Sequence, residues 1–311
     1  MDTMWHATTR SICQYKEILD VVFFLYPTVE DAKAGLRYGG TGFIVGIPTK
    51  GWPDQFAHHY AVTNWHVAVR DGASVVRLNT LDGNTDILEF GPAEWTFRPN
   101  FHDIAVMPLS LTGAHKFRAL GPTFFLLGEE PAAIDVQVGD DTFMVGRFID
   151  HDGVQTNRPA ARFGHISMTG APIRQPTGFD DDSIVVDLHS RTGFSGSPVF
   201  IYRTLGSEFL PAAKGRLLTG GGHVMKLLGI HWGQFYEKWS LKRLGKGQTV
   251  FESSLITDGE YVQGLSGMTC VCPSSAIWEL LHEPEFIEQR ANVERDMEKR
   301  LSPASSGVVA E

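Results

Sequence analysis

The sequence predicts an all-β fold in two lobes, with an N-terminal extension before it and helices after it. Three observations carry this reading. From residue 36 onward, short apolar runs alternate with turn residues such as Asp71-Gly72 and Asp82-Gly83; runs of that length and spacing build barrels or sandwiches. The 33 glycines and 16 prolines are spread along the 311 residues, which favours many short elements joined by turns. Hydrophobic residues make up 42% and charged residues 20%, an ordinary globular composition in a chain long enough for one large core or two closely packed ones.

Residues 1–35 form the extension. Thr9–Asp20 reads as helix, with Ile12, Tyr15, Ile18 and Leu19 as its apolar stripe. Val21–Tyr26 reads as a strand or buried extended run packed against the outside of the main fold. The first lobe, 36–118, opens with Gly39-Gly40-Thr41-Gly42 and the strand Phe43–Ile47. Tyr60–Thr63, Ser74–Leu78, Ile87–Phe90 and Asp103–Met107 supply the other strands. A connection near 110–122, with Gly113, Gly121 and Pro122, leads to the second lobe, 119–273. Its strands are Asp141–Gly146, Arg162–Met168, Ile184–Leu188, Ser197–Tyr202, Lys226–Ile230 and Met268–Cys272. Long loops at 150–160, 170–182, 203–222 and 234–249 are where function concentrates. In the C-terminal segment, 274–311, Ser275 is the expected helix cap and Glu279 lies in the first turn. Ile277, Leu280 and Leu281 give an apolar face that caps the second lobe. Pro284 interrupts this helix, Glu285–Arg300 forms a second, more exposed one, and Leu301–Glu311 is a frayed tail.

Net charge is 27 minus 36, or −9, the wrong sign for nonspecific contact with phosphate backbones. Trp65, Trp232 and Trp239 form no recognisable nucleic-acid platform, so no nucleic-acid partner is expected. No stretch approaches the roughly 20 apolar residues that cross a bilayer, and no membrane partner is expected. Glu17 and Asp20 precede the short run Val21–Leu25, unlike a secretory signal, which makes cytoplasmic residence the default. Cys270 and Cys272 would point the same way on a strand, so they read as buried thiols, and Cys13 lacks an obvious mate. There is no His-Glu-x-x-His segment and no compact Cys/His set; no metal or other cofactor is expected. His58-His59 and His223 read as surface or loop histidines, and Gly220-Gly221-Gly222 as a flexible hairpin. The partner expected is a protein or peptide substrate, with the terminal extensions open to a regulatory protein or a second copy of the chain.

The most specific local feature is Thr192-Gly193-Phe194-Ser195-Gly196-Ser197-Pro198-Val199-Phe200. A nucleophilic serine must project from a tight turn with backbone N–H groups aimed at the developing oxyanion. Glycines permit that conformation, and the N–H groups of Gly193 and Ser195 are the expected oxyanion hole. The plainer alternative is a structural β-turn. A serine hydroxyl needs a base, and Thr63-Asn64-Trp65-His66-Val67-Ala68 puts His66 at the end of an apolar strand, where a short helical turn begins. The imidazole in turn needs an acceptor that fixes its tautomer; Asp103, in Phe101-His102-Asp103-Ile104-Ala105-Val106, stands just before a buried strand. An ordinary core histidine and a turn aspartate remain the alternatives for this pair.

The order His66, Asp103, Ser195, with the segments Gly40–Phe43, Thr63–Ala68, His102–Val106 and Gly193–Pro198, resembles the landmarks of trypsin/chymotrypsin-type serine peptidases. That resemblance implies two six-stranded barrels with a cleft between them, acylation of Ser195 by a peptide carbonyl, and hydrolysis by water activated through His66. Asp187-Leu188, the run Ser195–Phe200 and Gly229-Ile230-His231-Trp232-Gly233 resemble the bacterial glutamyl endopeptidases of the staphylococcal V8 type. In that subgroup the residues matching His231 and Ser190 bind an acidic side chain, which implies cleavage after Glu or Asp. Chemistry agrees: both side chains can donate to a carboxylate, and a protonated imidazole adds charge. Arg191 is adjacent, with its direction open. Trp232 is expected as a wall of the peptide site, and Gly233 gives backbone access. Two features depart from the subgroup. Phe194 stands where a small or polar residue is usual, and residues 1–35 precede the landmarks where secreted members place a newly formed N-terminal amine. The alternative function is a catalytically silent or latent trypsin-fold module that binds peptides.

Overall fold

Strands buried on both faces read as unbroken apolar runs, while half-exposed strands alternate. The run Val-Phe-Phe-Leu-Tyr at β1 (Val22–Tyr26) is of the first kind and is buried at every position. In the computed structural model, which describes residues 15–36, 39–127, 136–149, 151, 153–203, 224–244, 248–253 and 261–301, β1 does not pack on the outside as expected. It lies inside the first sheet, paired antiparallel with β2 (Thr41–Pro48) on one side and β4 (Val75–Asn79) on the other. With β3 (Ala57–Thr63), β5 (Thr85–Leu88) and β6 (Ala105–Pro108), the sheet has six strands in the order β5-β4-β1-β2-β3-β6.

The expectation of two closed barrels is corrected here. The first sheet is open, because β5 and β6 do not pair. The outer edge of β6 is taken by Thr96, whose N–H donates to the Val106 carbonyl at 2.8 Å and whose carbonyl accepts from Val106 at 2.9 Å. β5 is only four residues long and partly exposed, a short edge of the kind that ends a sheet.

The second sheet does close. β7 (Asp141–Gly146), β8 (Ala160–Arg174), β9 (Asp180–Asp187), β10 (Pro198–Arg203), β11 (Val224–Leu244), β12 (Gln248–Ser253) and β13 (Tyr261–Pro273) run in the order β10-β7-β8-β9-β13-β11-β12. A further β10–β11 pairing joins the first strand to the sixth, leaving β12 outside the ring on the far half of β11. Two expected loops are therefore largely strand. β11 continues through 234–244, and β8 runs on to Arg174 before a turn to β9. Most of the expected loop 203–222 lies outside the described residues, as do Cys13, His223, Gly220–Gly222 and the tail after Leu301. A buried, bidentate Arg203–Asp140 pair, at 3.0 and 2.7 Å, ties the end of β10 to the turn before β7.

Among the described residues, four α-helices accompany the sheets: α1 (Tyr15–Ile18), α2 (Val29–Ala34), α3 (Ser274–Leu281) and α4 (Pro284–Leu301). The Thr28 side chain caps α2 by accepting from Asp31 N–H. In α3 the expected cap, Ser275, lies within the helix; Pro273 precedes it, and no side chain caps it. Pro284 ends the α3 pattern by opening α4, a position where its missing N–H costs nothing. Ile277, Leu280 and Leu281 enter a core that also holds Val45 and Val62 of the first sheet and Ile230 and Cys272 of the second. α4 then crosses to the first sheet. Phe286 packs edge-on to Tyr60, Arg290 donates to the Tyr60 hydroxyl at 3.1 Å, and Glu294 pairs with His58 at 3.0 Å. The helices fasten the two sheets together rather than capping one. Cys270 and Cys272 are buried, reduced thiols, and burial pushes Cys270 up to about 12. Among the described residues, no helix is long and apolar enough to cross a membrane.

Candidate active site

His66 stands where β3 ends. The chain turns there through one wide helical turn, closed by Asp71 N–H donating to the His66 carbonyl at 2.9 Å; such turns concentrate at functional sites. The turn aims the imidazole at Asp103, just before β6. His66 Nδ1–H donates to Asp103 Oδ2 at 2.5 Å, and His66 N–H donates to Oδ1 at 2.9 Å. Asp103 is fully buried. A lone carboxylate there would be strongly penalised, and the surroundings offset this. Both its oxygens accept from His66, while its own main chain is pinned by Asn64 Nδ2, donating to the Asp103 carbonyl at 2.7 Å, and by Gln175 Oε1, accepting from Asp103 N–H at 2.7 Å. An ionised carboxylate only accepts, so the proton sits on Nδ1, and Nε2 of a neutral His66 is left as a base.

Gln175 is the residue that sequence reasoning missed. It lies in the turn after β8, donates through Nε2 to His102 Nδ1 at 3.0 Å, and accepts from the Cys272 thiol at 3.2 Å. One amide from the second sheet thus orders the segment of the first sheet that carries Asp103. Its only forewarning was its place in the loop 170–182.

The Ser195 turn precedes β10. Gly193 (φ +98°) and Gly196 (φ +85°) adopt left-handed backbone, and a Cβ on Gly196 would fall 1.9 Å from the Thr41 carbonyl oxygen; only glycine fits there. The turn is docked on the first sheet by Thr41, whose N–H donates to the Ser195 carbonyl and whose hydroxyl donates to the Gly193 carbonyl, both at 2.8 Å. Within the turn, Phe194 N–H donates to Arg191, Ser197 N–H to Phe194, and Gly196 N–H to the His231 carbonyl. Among the described residues, the N–H groups of Gly193 and Ser195 meet no acceptor. Gly40 lies between the two halves: a Cβ there would meet the Ser195 carbonyl oxygen at 2.6 Å and the Val67 side chain at 3.0 Å. Ser195 is half-buried, and no hydrogen bond joins its hydroxyl to His66. The departure at Phe194 is a packing one, since its ring is fully buried beneath the turn with Met144 and Val199.

The expected acid-reading pair is in contact: Ser190 Oγ lies 2.8 Å from His231 Nε2. The Thr269 hydroxyl donates to the Gly233 carbonyl at 3.0 Å, so its oxygen accepts from His231 Nδ1–H at 2.8 Å. Nε2 then accepts from Ser190. Burial, opposed by the Cys270 carbonyl and reinforced by His66 when that ring is protonated, lowers His231 to about 4; it is neutral at neutral pH. Trp232 is mostly buried and donates to Ser183 Oγ at 3.3 Å. Gly233 has open space where a Cβ would stand. The Arg191 guanidinium lies over the Phe148 ring at 5.7 Å.

Residues 40–204 match the trypsin-like peptidase domain family. Among solved structures, the protease domain of MamO from Magnetospirillum magneticum, in its apo form, is similar to 87% of this chain over 100% of its own length, with 16% identity and a TM-score of 0.46. No curated protein matches the chain.

Proposed function

The chain belongs to the trypsin-like peptidase domain family, and from that premise we propose that it is a serine endopeptidase. Ser195 is the nucleophile, His66 the general base and Asp103 the group that orients and charges against the imidazole. The observation that carries the reading is the buried His66–Asp103 pair, which fixes the tautomer and leaves Nε2 free to take a hydroxyl proton. Ser195 Oγ attacks the peptide carbonyl as its proton passes to Nε2, and the imidazolium is stabilised by the Asp103 carboxylate. The negative charge on the tetrahedral oxygen is received by the Gly193 and Ser195 N–H groups, which the protein leaves unspent among the described residues. His66 then gives the proton to the leaving amine, and water activated by the same base releases the acyl group.

Cleavage follows Glu or Asp, with Ser190 and His231 as the acid-reading pair and Trp232 and Gly233 beside the peptide. Because His231 is held neutral and Nε2 is occupied by Ser190, charged recognition requires a proton to join Nε2 when the carboxylate arrives. Preference for Glu over Gln therefore grows as pH falls toward the range in which His231 protonates. A fluorogenic panel varying the residue before the cleaved bond, run with wild type and Ser195→Ala, tests both levels. Equal turnover after neutral residues rejects the acid preference; turnover that survives in Ser195→Ala rejects the nucleophile. A latent or catalytically silent peptide-binding module is the competing reading, and it draws on the missing hydrogen bond between Ser195 and His66. Apo sites often tighten only on binding substrate, so that gap weighs less than the completed His66–Asp103 pair.

A further inference from the structure

The segment leading into the nucleophile turn alternates in burial: Leu188 and Ser190 are buried, while His189 and Arg191 are exposed. Successive residues of extended chain point to opposite sides. Ser190 turns inward to His231, and Arg191 turns the other way, over the Phe148 ring. Arg162, on β8, occupies the same ring at 5.2 Å and also lies 5.5 Å from the ring of Phe194. His151 stacks on Phe148 at 5.2 Å. Two guanidinium groups thus share one aromatic platform, and one of them also lies over the ring of Phe194, the residue before Ser195.

This arrangement brings two like charges onto one ring. Burial and the neighbouring Arg191 charge both lower Arg162 from its usual value, and like charges repel. In a chain with 36 acidic residues, neither arginine has a carboxylate partner among the described residues, although exposed pairs such as Arg98–Glu279 and Arg174–Asp180 form elsewhere. Contact with an aromatic face orients each guanidinium without using its N–H donors, so both planar forks remain available for a carboxylate. Beside them lies a cavity of about 400 Å³ lined by Phe148, Ala160, Ala161, Arg162, Phe163 and His189. A neighbouring cavity of about 310 Å³ shares Phe163 and His189 but carries Asp141 and Asp187, so the region attractive to an anion is confined to the arginine end.

We propose that Arg162 and Arg191, on the Phe148 platform, form a second acid-reading site that takes a carboxylate side chain of the bound peptide, distinct from the residue presented to Ser190 and His231. The inference rests on the peptidase reading and adds to it a preference for peptides bearing two acidic residues. A peptide lying along the Ser195 turn brings its neighbouring side chains to this flank, whereas a free anion would need no site so close to the nucleophile.

The test uses the full chain with Ser195→Ala, so that peptides bind without being cut. A neutral fluorescent peptide is scanned with one Glu or one Gln at each position, and binding is followed by anisotropy. One position other than that before the cleaved bond is expected to favour Glu over Gln by about tenfold, the scale of a charge-assisted hydrogen bond pair. That ratio falls to near one with Arg162→Gln or Arg191→Gln, and Arg191→Lys keeps part of it by retaining charge without the fork. Reading a ratio within each variant removes any common effect of a weakened fold, which thermal unfolding measures separately. A Glu preference that persists in both glutamine variants, or none at any second position, overturns the proposal. So does inorganic phosphate binding at the arginines when no Glu peptide is favoured, since that assigns the site to a free anion. Fluorophosphonate labelling of the wild-type chain, with both arginines in place, reports on the peptidase reading alone, so the two ideas can fail separately.

Discussion

The two sheets contribute to the candidate site in opposite ways. The open first sheet supplies a pair of side chains, His66 and Asp103, that hydrogen-bond each other, and the Asp103 main chain is held by Asn64 from the same sheet and Gln175 from the other. The closed second sheet supplies a backbone turn, in which two left-handed glycines and main-chain hydrogen bonds hold Ser195 and leave two N–H groups unspent among the described residues. One half is tuned by chemistry and the other by conformation. A buried carboxylate on an open sheet needs help from outside that sheet, and Gln175 provides it. A turn held by backbone geometry needs little help from side chains, but it tolerates almost no added atoms.

Substitutions can break each half separately. On the side-chain half, His66→Ala removes the base and is expected to lower kcat on the order of 10⁶-fold, as in other enzymes whose catalytic groups act as a unit. Asp103→Asn keeps the shape but favours the wrong tautomer, with a loss of about 10⁴-fold. On the backbone half, Gly196→Ala places a Cβ against the Thr41 carbonyl; it should undock the turn, abolish labelling of Ser195 and lower the unfolding midpoint, while His66 and Asp103 stay paired by NMR. Gln175→Leu probes the link between the halves. Without the amide, Asp103 is less firmly oriented, and kcat should fall about tenfold with little change in KM, the scale of one buried hydrogen bond to a charged group's main chain. A rise in KM alone would mean that Gln175 serves the peptide instead.

The smallest effect concerns stability. Each sheet holds a histidine that folding lowers from 6.5 to about 4: the partly buried His59 on β3, by desolvation and then the His58 charge, and the buried His231 on β11. Between those values the unfolded chain binds protons that the folded chain does not, so stability is lost as pH falls from about 6.5 to 4. The unfolding midpoint should drop across that window, and His59→Gln should flatten the profile. An unchanged slope would mean that His59 is not held neutral.

Local pattern in the sequence locates strands better than it locates their partners. Asp141–Gly146 is found at its observed bounds, because six residues between turn signals suffice. β1 was legible as a buried run, but an unbroken apolar stretch looks the same inside a sheet or against it. The far half of β11 carries Glu237, Lys238, Lys242 and Arg243, and its pairing with β12 and β13 rests on backbone bonds that polar residues do not advertise. His66 and Asp103 stood out because each sits at the end of an apolar strand within a familiar segment. Gln175 did not, since it acts on a residue 72 positions away and its neighbours in sequence are an ordinary turn. The direction of Arg191 depended on Phe148, which no spacing connects to it.

Active-site labelling with a fluorophosphonate probe bears on the whole arrangement at once, because only a serine hydroxyl activated by a base and facing an oxyanion hole reacts readily. Wild type should take up one probe per chain on Ser195, with labelling lost in Ser195→Ala and suppressed in His66→Ala while the fold persists. A folded wild type that stays unlabelled, or a probe that modifies Ser195→Ala equally well, would contradict the account.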